Sequence, residues 1–373
     1  MFLAIRELMH NKTRFLMLAI IFVLISWLVF ILSGLGNGLA SLAASTIKHM
    51  KVEYVVFEQG SQSSLSKSLL SEQLVDAAAR QPNVKAAAPL GATMATALKG
   101  QSEKDEDKLD IAIIGIVPGS FLEPKVVEGG GLSGDKPTGV LVNISMKDEG
   151  FAIGDTFKLD GSTESLTIVG YVKGETYNHV ASVFTPIEEW RKIAYAAPGS
   201  DNGVAKPINA VMLQGEGIHP RELNEKLPNT NTVDRKAAIQ GMPGYKEESG
   251  SITMMLAFLL TISAFVLGVF FYVLTLQKSN QFGIMKAIGA RNGFLAKAIV
   301  SQVLLLSVGS IIIGVLLTYA AAAVLPRAMP FILSTKLVVI YAIVLVIIAL
   351  LSSLVSVRKI TNVDPLKALG RVE

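Results

Sequence analysis

The sequence predicts an α-helical membrane protein with four transmembrane helices and an α+β domain inserted after the first. Three observations predict it. Four apolar stretches, Phe15–Leu39, Ile252–Leu276, Ile299–Leu325 and Leu337–Val357, each reach the roughly 20 residues that cross a hydrocarbon core. None contains Asp, Glu, Lys, Arg or His. The segment 41–251 has ordinary soluble patterning, so the overall 51% hydrophobic content averages two populations.

Basic residues set the expected orientation. Residues 1–14 carry Arg6, Lys12 and Arg14; 277–297 carry Lys278, Lys286, Arg291 and Lys297; the tail carries Arg358, Lys359, Lys367 and Arg371. The insert holds 21 basic and 27 acidic residues. Lys and Arg concentrate on the cytoplasmic side of membrane proteins, so both termini and the 277–297 loop are expected inside and the insert outside. The net charge of +4 is therefore a membrane-surface signal and not one for nucleic acid. The first apolar run outlasts a cleavable signal core of roughly 7–15 residues, so it is read as a retained helix.

The elements follow in order. Residues 1–14 are expected as a cytoplasmic amphipathic helix lying on lipid, with Leu3, Leu8 and Phe15 toward the bilayer. The first span and a helical stalk cover 15–50. Gly34 and Gly38 form a GxxxG, a candidate close contact between two copies of the chain. The extracellular domain covers 51–250. Val52–Phe57, Leu109–Ile116 and Gly139–Ile144 are expected as strands. Leu69–Arg80 and Pro186–Ala197 are expected as helices, the second capped by Thr185. Thr156–Leu159 and Leu166–Val172 flank Asp160–Gly161 as a hairpin. The remaining spans are 251–277, 298–326 and 336–357, with a cytoplasmic loop over 278–297 and a tail over 358–373.

The sequence excludes several chemistries. There is no cysteine, hence no disulfide or thiolate site. No GK dipeptide occurs, so a Walker A loop is absent. His10, His49, His179 and His219 are scattered without metal spacing, and no resident metal is expected. The spans lack the ionisable relay of an ion-coupled transporter. Energy for transport must then come from a partner. The surface for it is Gln281–Asn292, where Phe282, Met285 and Ile288 recur at three-residue spacing, with Ile284, Lys286 and Arg291 beside them and Gly289 to end the helix.

That loop resembles the coupling helix of MacB/FtsX-type ABC transporter permeases, whose pattern is close to E-x-G-I-L-R-A-L-G-A; here it reads Gln281-Phe282-Gly283-Ile284-Met285-Lys286-Ala287-Ile288-Gly289-Ala290. The tail Asn362–Leu369 is similar to the family's D-P-A-E-A-L ending. Ile153–Thr156 followed by Ile168–Tyr171 is similar to its G-D-T … V-V-G hairpin. Gln281-Phe282 replaces the family's usual acid, so a salt bridge from that position is not carried over. The resemblance implies a homodimer in membrane lipid bound to two copies of an ATP-binding subunit, which hydrolyses ATP, while this chain is non-catalytic and holds no cofactor of its own.

Met1–Leu8 and Pro243-Gly244-Tyr245 resemble the haem-efflux members of that family. The resemblance implies haem as substrate. Tyr245, His49 and Met254 are then candidate iron ligands, followed by Met50 and Met242; Lys48 and Lys51 are candidates for the propionates, and Trp27 and Phe30 for an apolar slot. Export of antimicrobial peptides or drugs, or mechanical control of an extracellular partner without transport, are the alternatives.

Overall fold

The computed structural model describes residues 12–99, 108–133, 138–162, 164–326 and 329–361. The expected surface helix over 1–14 and the motif Asn362–Leu369 lie largely or wholly outside them. The chain divides into two compact units, Met1–Gly38 with Ser249–Glu373, and Leu39–Glu248.

Among the described residues, four helices are long and apolar enough to cross a bilayer. They are α1 (Lys12–His49), α7 (Tyr245–Gln277), α9 (Asn292–Val324) and α10 (Thr335–Thr361), with the short α8 (Ser279–Ala287) between α7 and α9. Phe22, Phe30, Leu267, Phe271, Val303 and Leu345 form the centre of their packing. Small residues allow the closest approach of α1 and α9. A Cβ on Gly314 would sit 2.3 Å from Ser26 Oγ, and Ser310 Oγ donates to the Ala19 carbonyl at 3.3 Å. Lipid tails offer helices no hydrophobic drive to associate, so such contacts carry the packing.

The second unit is a mixed sheet flanked by short helices. Its strands are β1 (Tyr54–Glu58), β2 (Leu70–Ser71), β3 (Ala86–Leu98), β4 (Lys108–Ile116), β5 (Val126–Gly129), β6 (Gly139–Asn143), β7 (Thr156–Leu159), β8 (Ser165–Val172), β9 (Thr176–Tyr177), β10 (Val180–Pro186), β11 (Pro207–Ile208), β12 (Ala210–Gln214) and β13 (Thr230–Asp234). Its helices are α2 (Gln73–Ala79), α3 (Ser145–Asp148), α4 (Ile187–Ala194), α5 (Pro220–Lys226) and α6 (Arg235–Gln240). The main sheet runs β13-β1-β12-β3-β4-β10-β6-β8-β5, with β7 against β3 and β8 and β9 against β10. β4–β10 and β6–β8 are parallel, and the other pairs antiparallel.

Alternation along each strand divides its side chains between two cores. Ile111, Ile113, Val140, Val142 and Val183 enter one, with Trp190. Ala112, Ile114, Ile116, Leu141 and Phe184 enter the other, with Ile47 of α1 and Met50 just after it. Both faces of the central strands are covered, which is why they read as unbroken apolar runs.

Several expectations are corrected. Leu69–Arg80 is not one helix: Leu70 and Ser71 pair with Ile208 and Pro207, and α2 starts only at Gln73. The helix expected over Pro186–Ala197 is α4 at Ile187–Ala194, because Thr185 and Pro186 continue β10 against Gly115 and Ile116. Thr185 therefore caps nothing. Strand β3, thirteen residues long, had no expected counterpart. The hairpin across Asp160–Gly161 forms as β7–β8, with Phe157 opposite Leu166. Gly91 and Gly115 lie opposite each other in β3 and β4. A Cβ on either would meet Trp190, at 2.2 Å and 2.5 Å, so the two glycines form the seat of its indole.

Candidate functional site

Two regions combine elements that the sequence singled out: the short helix α8, and the end of α1 where it meets the β9–β10 turn. The first is α8. Its C-terminus closes as a Schellman turn: Gly289 has φ +98, its N–H donates to Lys286 at 3.0 Å, and Ala290 N–H donates to Met285 at 2.9 Å. The predicted docking face is split by the bundle. Phe282 is 3% exposed and belongs to the helix core, with Met285 packed beside it. Ile284 is 52% and Ile288 80% exposed. Arg291 is also exposed, and Lys286 is half-buried. The outward apolar row is thus Ile284–Ile288, at i and i+4.

The second region is the root of the stalk. Helix α1 passes beyond the membrane unit, and Ala44 breaks its helical geometry at φ −146, ψ 18. Asn178 and His179 form the two-residue turn between β9 and β10, both with positive φ (50 and 68), as a type I′ hairpin requires. Their N–H groups donate to the carbonyls of Ala43 and Leu42, at 3.0 Å and 3.2 Å, immediately before the break. Thr176 N–H donates to Ser45 Oγ at 2.9 Å. The Thr46 and Ser182 hydroxyls meet at 2.8 Å. His49 Nδ1 lies 3.0 Å from Glu175 Oε1. The hairpin also reaches the start of α7, where His179 Nε2 lies 2.8 Å from Glu248 Oε1. Burial pushes the Glu175 carboxyl above the usual carboxylate range, and the adjacent His49 and the Thr46 hydroxyl oppose the shift. Burial likewise pushes the Tyr177 phenol up to about 12.

The predicted haem residues fall into both units. In the extramembrane unit, Lys48 Nζ stands 5.2 Å from the centroid of the Tyr245 ring. Met50 and Met242 are 5% and 2% exposed and fill the second core, so they act as packing groups. His49 and Lys51 are exposed. In the membrane unit, Phe30 is fully buried and Trp27 half-buried, while Met254 is exposed on α7. Among the described residues, no group of three His, Asp or Glu is placed to hold a metal ion.

Gly34 and Gly38 are covered by the chain itself. A Cβ on Gly34 would meet Phe331 at 2.5 Å, and one on Gly38 would meet the Pro330 carbonyl at 2.0 Å. Ile332 N–H donates to the Gly34 carbonyl at 3.0 Å, and Asn37 Nδ2 donates to the Ile332 carbonyl at 2.9 Å. The GxxxG face thus packs against the α9–α10 loop of the same chain. Sequence reading missed Glu175, Asn178, His179 and Glu248 as stalk partners. Glu175 lies 126 residues from His49, with no local pattern to link them.

Residues 15–215 match the MacB-like periplasmic core domain, and residues 253–365 match the FtsX-like permease C-terminal domain. A permease of Staphylococcus haemolyticus named for hemin transport, HrtB, is 26% identical over 372 residues, covering 100% of this chain and 99% of the relative. An ABC transporter permease of Mycobacterium tuberculosis, uncharacterised by its name, is 26% identical over 374 residues, covering 99% of each. The solved periplasmic region of MacB from Actinobacillus actinomycetemcomitans aligns at 14% identity with a TM-score of 0.38, over 52% of this chain and 94% of that one. The chain is a membrane protein and belongs to the MacB- and FtsX-like family of ABC transporter permeases.

Proposed function

We propose that this chain is the membrane subunit of an ATP-driven exporter of haem, working as a homodimer with two cytoplasmic ATP-binding subunits. The insert faces outward, and both termini and α8 face the cytoplasm. The observation that carries the mechanical reading is the β9–β10 turn bonded to the backbone at the break in α1. A helix end held by backbone hydrogen bonds to a sheet moves that sheet when it turns or shifts. The exposed Ile284–Ile288 row gives the ATP-binding subunit an apolar hold on the other side of the membrane. Nucleotide-driven movement of α8 then passes through the bundle and up α1 into the extramembrane domain. The cargo assignment rests on the hemin transport name of the staphylococcal relative.

The test is reconstitution with the ATP-binding subunit in liposomes. Haem should stimulate ATP hydrolysis and leave the membrane in an ATP-dependent manner. Asn178→Pro removes one N–H donor of the turn. It is expected to retain basal hydrolysis and lose efflux; undiminished efflux overturns the mechanical reading. Stimulation by a peptide or drug panel, with none by haem, reassigns the cargo.

A further inference from the structure

A cavity of ≈ 600 Å³ opens at the root of the stalk, inside the extramembrane unit. The end of α1 and the residues after it contribute Thr46, His49, Met50 and Lys51, and the loop after β4 contributes Ser120–Lys125. Glu175, Phe184 and Gln214 complete the lining. Met50, Phe121, Leu122, Pro124 and Phe184 give it apolar walls.

Its charges are divided by role. Glu123 is spent on the backbone, accepting from Gly119 N–H at 2.7 Å and from Leu132 N–H at 2.9 Å. These bonds hold the loop that carries Phe121 and Lys125. Glu175 is spent on the stalk, bonded to His49 Nδ1. Lys51 and Lys125 are exposed at the cavity, and neither has an ion-pair partner among the described residues. To a ligand the cavity therefore offers apolar walls, two cations and one imidazole.

The His49–Glu175 pair makes that imidazole a better ligand. A carboxylate on one ring nitrogen fixes the tautomer and leaves the other nitrogen as the electron-pair donor. A planar apolar dianion with a metal at its centre matches all three features.

We propose that this cavity is an extramembrane binding site for an iron porphyrin, with His49 Nε2 as axial ligand, Lys51 and Lys125 on the propionates, and Phe121 and Phe184 against the ring. The proposal rests on the haem reading of the function and gives it a station in the extramembrane unit. That station adjoins the turn at the stalk break, since Glu175 immediately precedes β9. Occupancy would then bear on the stalk through His49.

The experiment uses the full chain in detergent or nanodiscs with its ATP-binding subunit. Haem and metal-free protoporphyrin IX are titrated against wild type, His49→Ala, Lys51→Glu/Lys125→Glu and Phe121→Ala. Haem reports through its Soret band and protoporphyrin through its fluorescence. His49 is half exposed, so His49→Ala leaves the core intact. It is expected to abolish the ligand-shifted Soret band and weaken haem about tenfold, with protoporphyrin affinity unchanged. The double charge reversal is expected to weaken both compounds about tenfold. Phe121→Ala checks the apolar wall and weakens both. If wild type binds haem and all three variants bind it equally well, the cavity is not the site and the haem reading stands. If wild type binds no haem, both fall together.

Discussion

Ile284 and Ile288 give the sharpest test of how this chain couples to ATP. They retain 52% and 80% of their surface, although they adjoin a tightly packed bundle. Burying a side chain of this size completely is worth about 1.5–3 kcal/mol, so covering the exposed fractions yields about 0.8–1.6 for Ile284 and about 1.2–2.4 for Ile288. Together they supply about 2–4 kcal/mol, or between about 30-fold and about 900-fold in the dissociation constant. Ile284→Asp/Ile288→Asp should weaken binding of the ATP-binding subunit by at least the lower figure. The bundle should melt as in wild type, because neither residue belongs to its core. Phe282→Ala should behave in the opposite way. Phe282 is 3% exposed within the bundle, so truncation costs the fold about 3–5 kcal/mol. The assay is titration of labelled ATP-binding subunit against nanodisc-embedded protein, with thermal melts alongside. Unchanged affinity in the double aspartate variant refutes the docking assignment. Weakened affinity with an equally lowered melting point would show that the row is structural.

Four further outcomes are expected. Single cysteines at Ser200 and Gln281 of this cysteine-free chain should react with an impermeant maleimide on intact cells at 200 only; reaction at 281 alone reverses the orientation. Gly38→Leu should lower thermal stability while leaving self-association unchanged, because its side chain strikes Pro330 of the same chain; lost association at unchanged stability restores the glycines to a contact between copies. Gly91→Ala forces a Cβ into the Trp190 indole and should cost about 1–3 kcal/mol, which Trp190→Phe partly recovers; an additive pair of effects argues against the seat. The raised pKa of Glu175 means that its contribution is fully present below the ordinary carboxylate value and is lost as pH rises through the folded value. Glu175→Gln should therefore raise the melting point of the full chain at pH 7 and bring little change at pH 4; a gain confined to acid pH contradicts this.

The membrane helices were legible because hydrocarbon thickness imposes a length and excludes charge, and both are read directly from residues such as Phe15–Leu39. The β7–β8 hairpin was legible because Asp160–Gly161 is a local turn signal. β3 was not. Its Ala86-Ala87-Ala88 start, Pro89 and Gly91 carry little strand preference, and it is held by neighbours on both sides, from Ala210–Gln214 and Lys108–Ile116. Tertiary pairing overrode local propensity there. The face of α8 was half legible. Three-residue spacing placed Phe282, Met285 and Ile288 together, but the helix ends at Ala287 and the Gly289 turn takes Ile288 away from the core. The pairing of His49 with Glu175, and the use of Gly34 and Gly38 by Pro330–Ile332, depend on chain closures that no local pattern records.

The backbone bonds between Asn178-His179 and Leu42-Ala43 work as a splice. A strand turn takes up carbonyls at the point where the helix loses its regular geometry. Because main-chain atoms make the splice, it needs no particular side-chain chemistry at Leu42 or Ala43, while the positive φ of Asn178 and His179 restricts the turn to residues that adopt it readily. It does not tolerate a change in length. One residue added to or removed from the two-residue turn shifts both donors out of register, and proline at 178 or 179 deletes one outright. Hydrogen bonds of this kind are short-ranged, so under the proposed mechanism strain along α1 would be held until a bond breaks and then released as a step. On that proposal the extramembrane domain would follow the ATP-binding subunit in discrete clicks, each timed by the loss or recovery of two amide N–H hydrogen bonds.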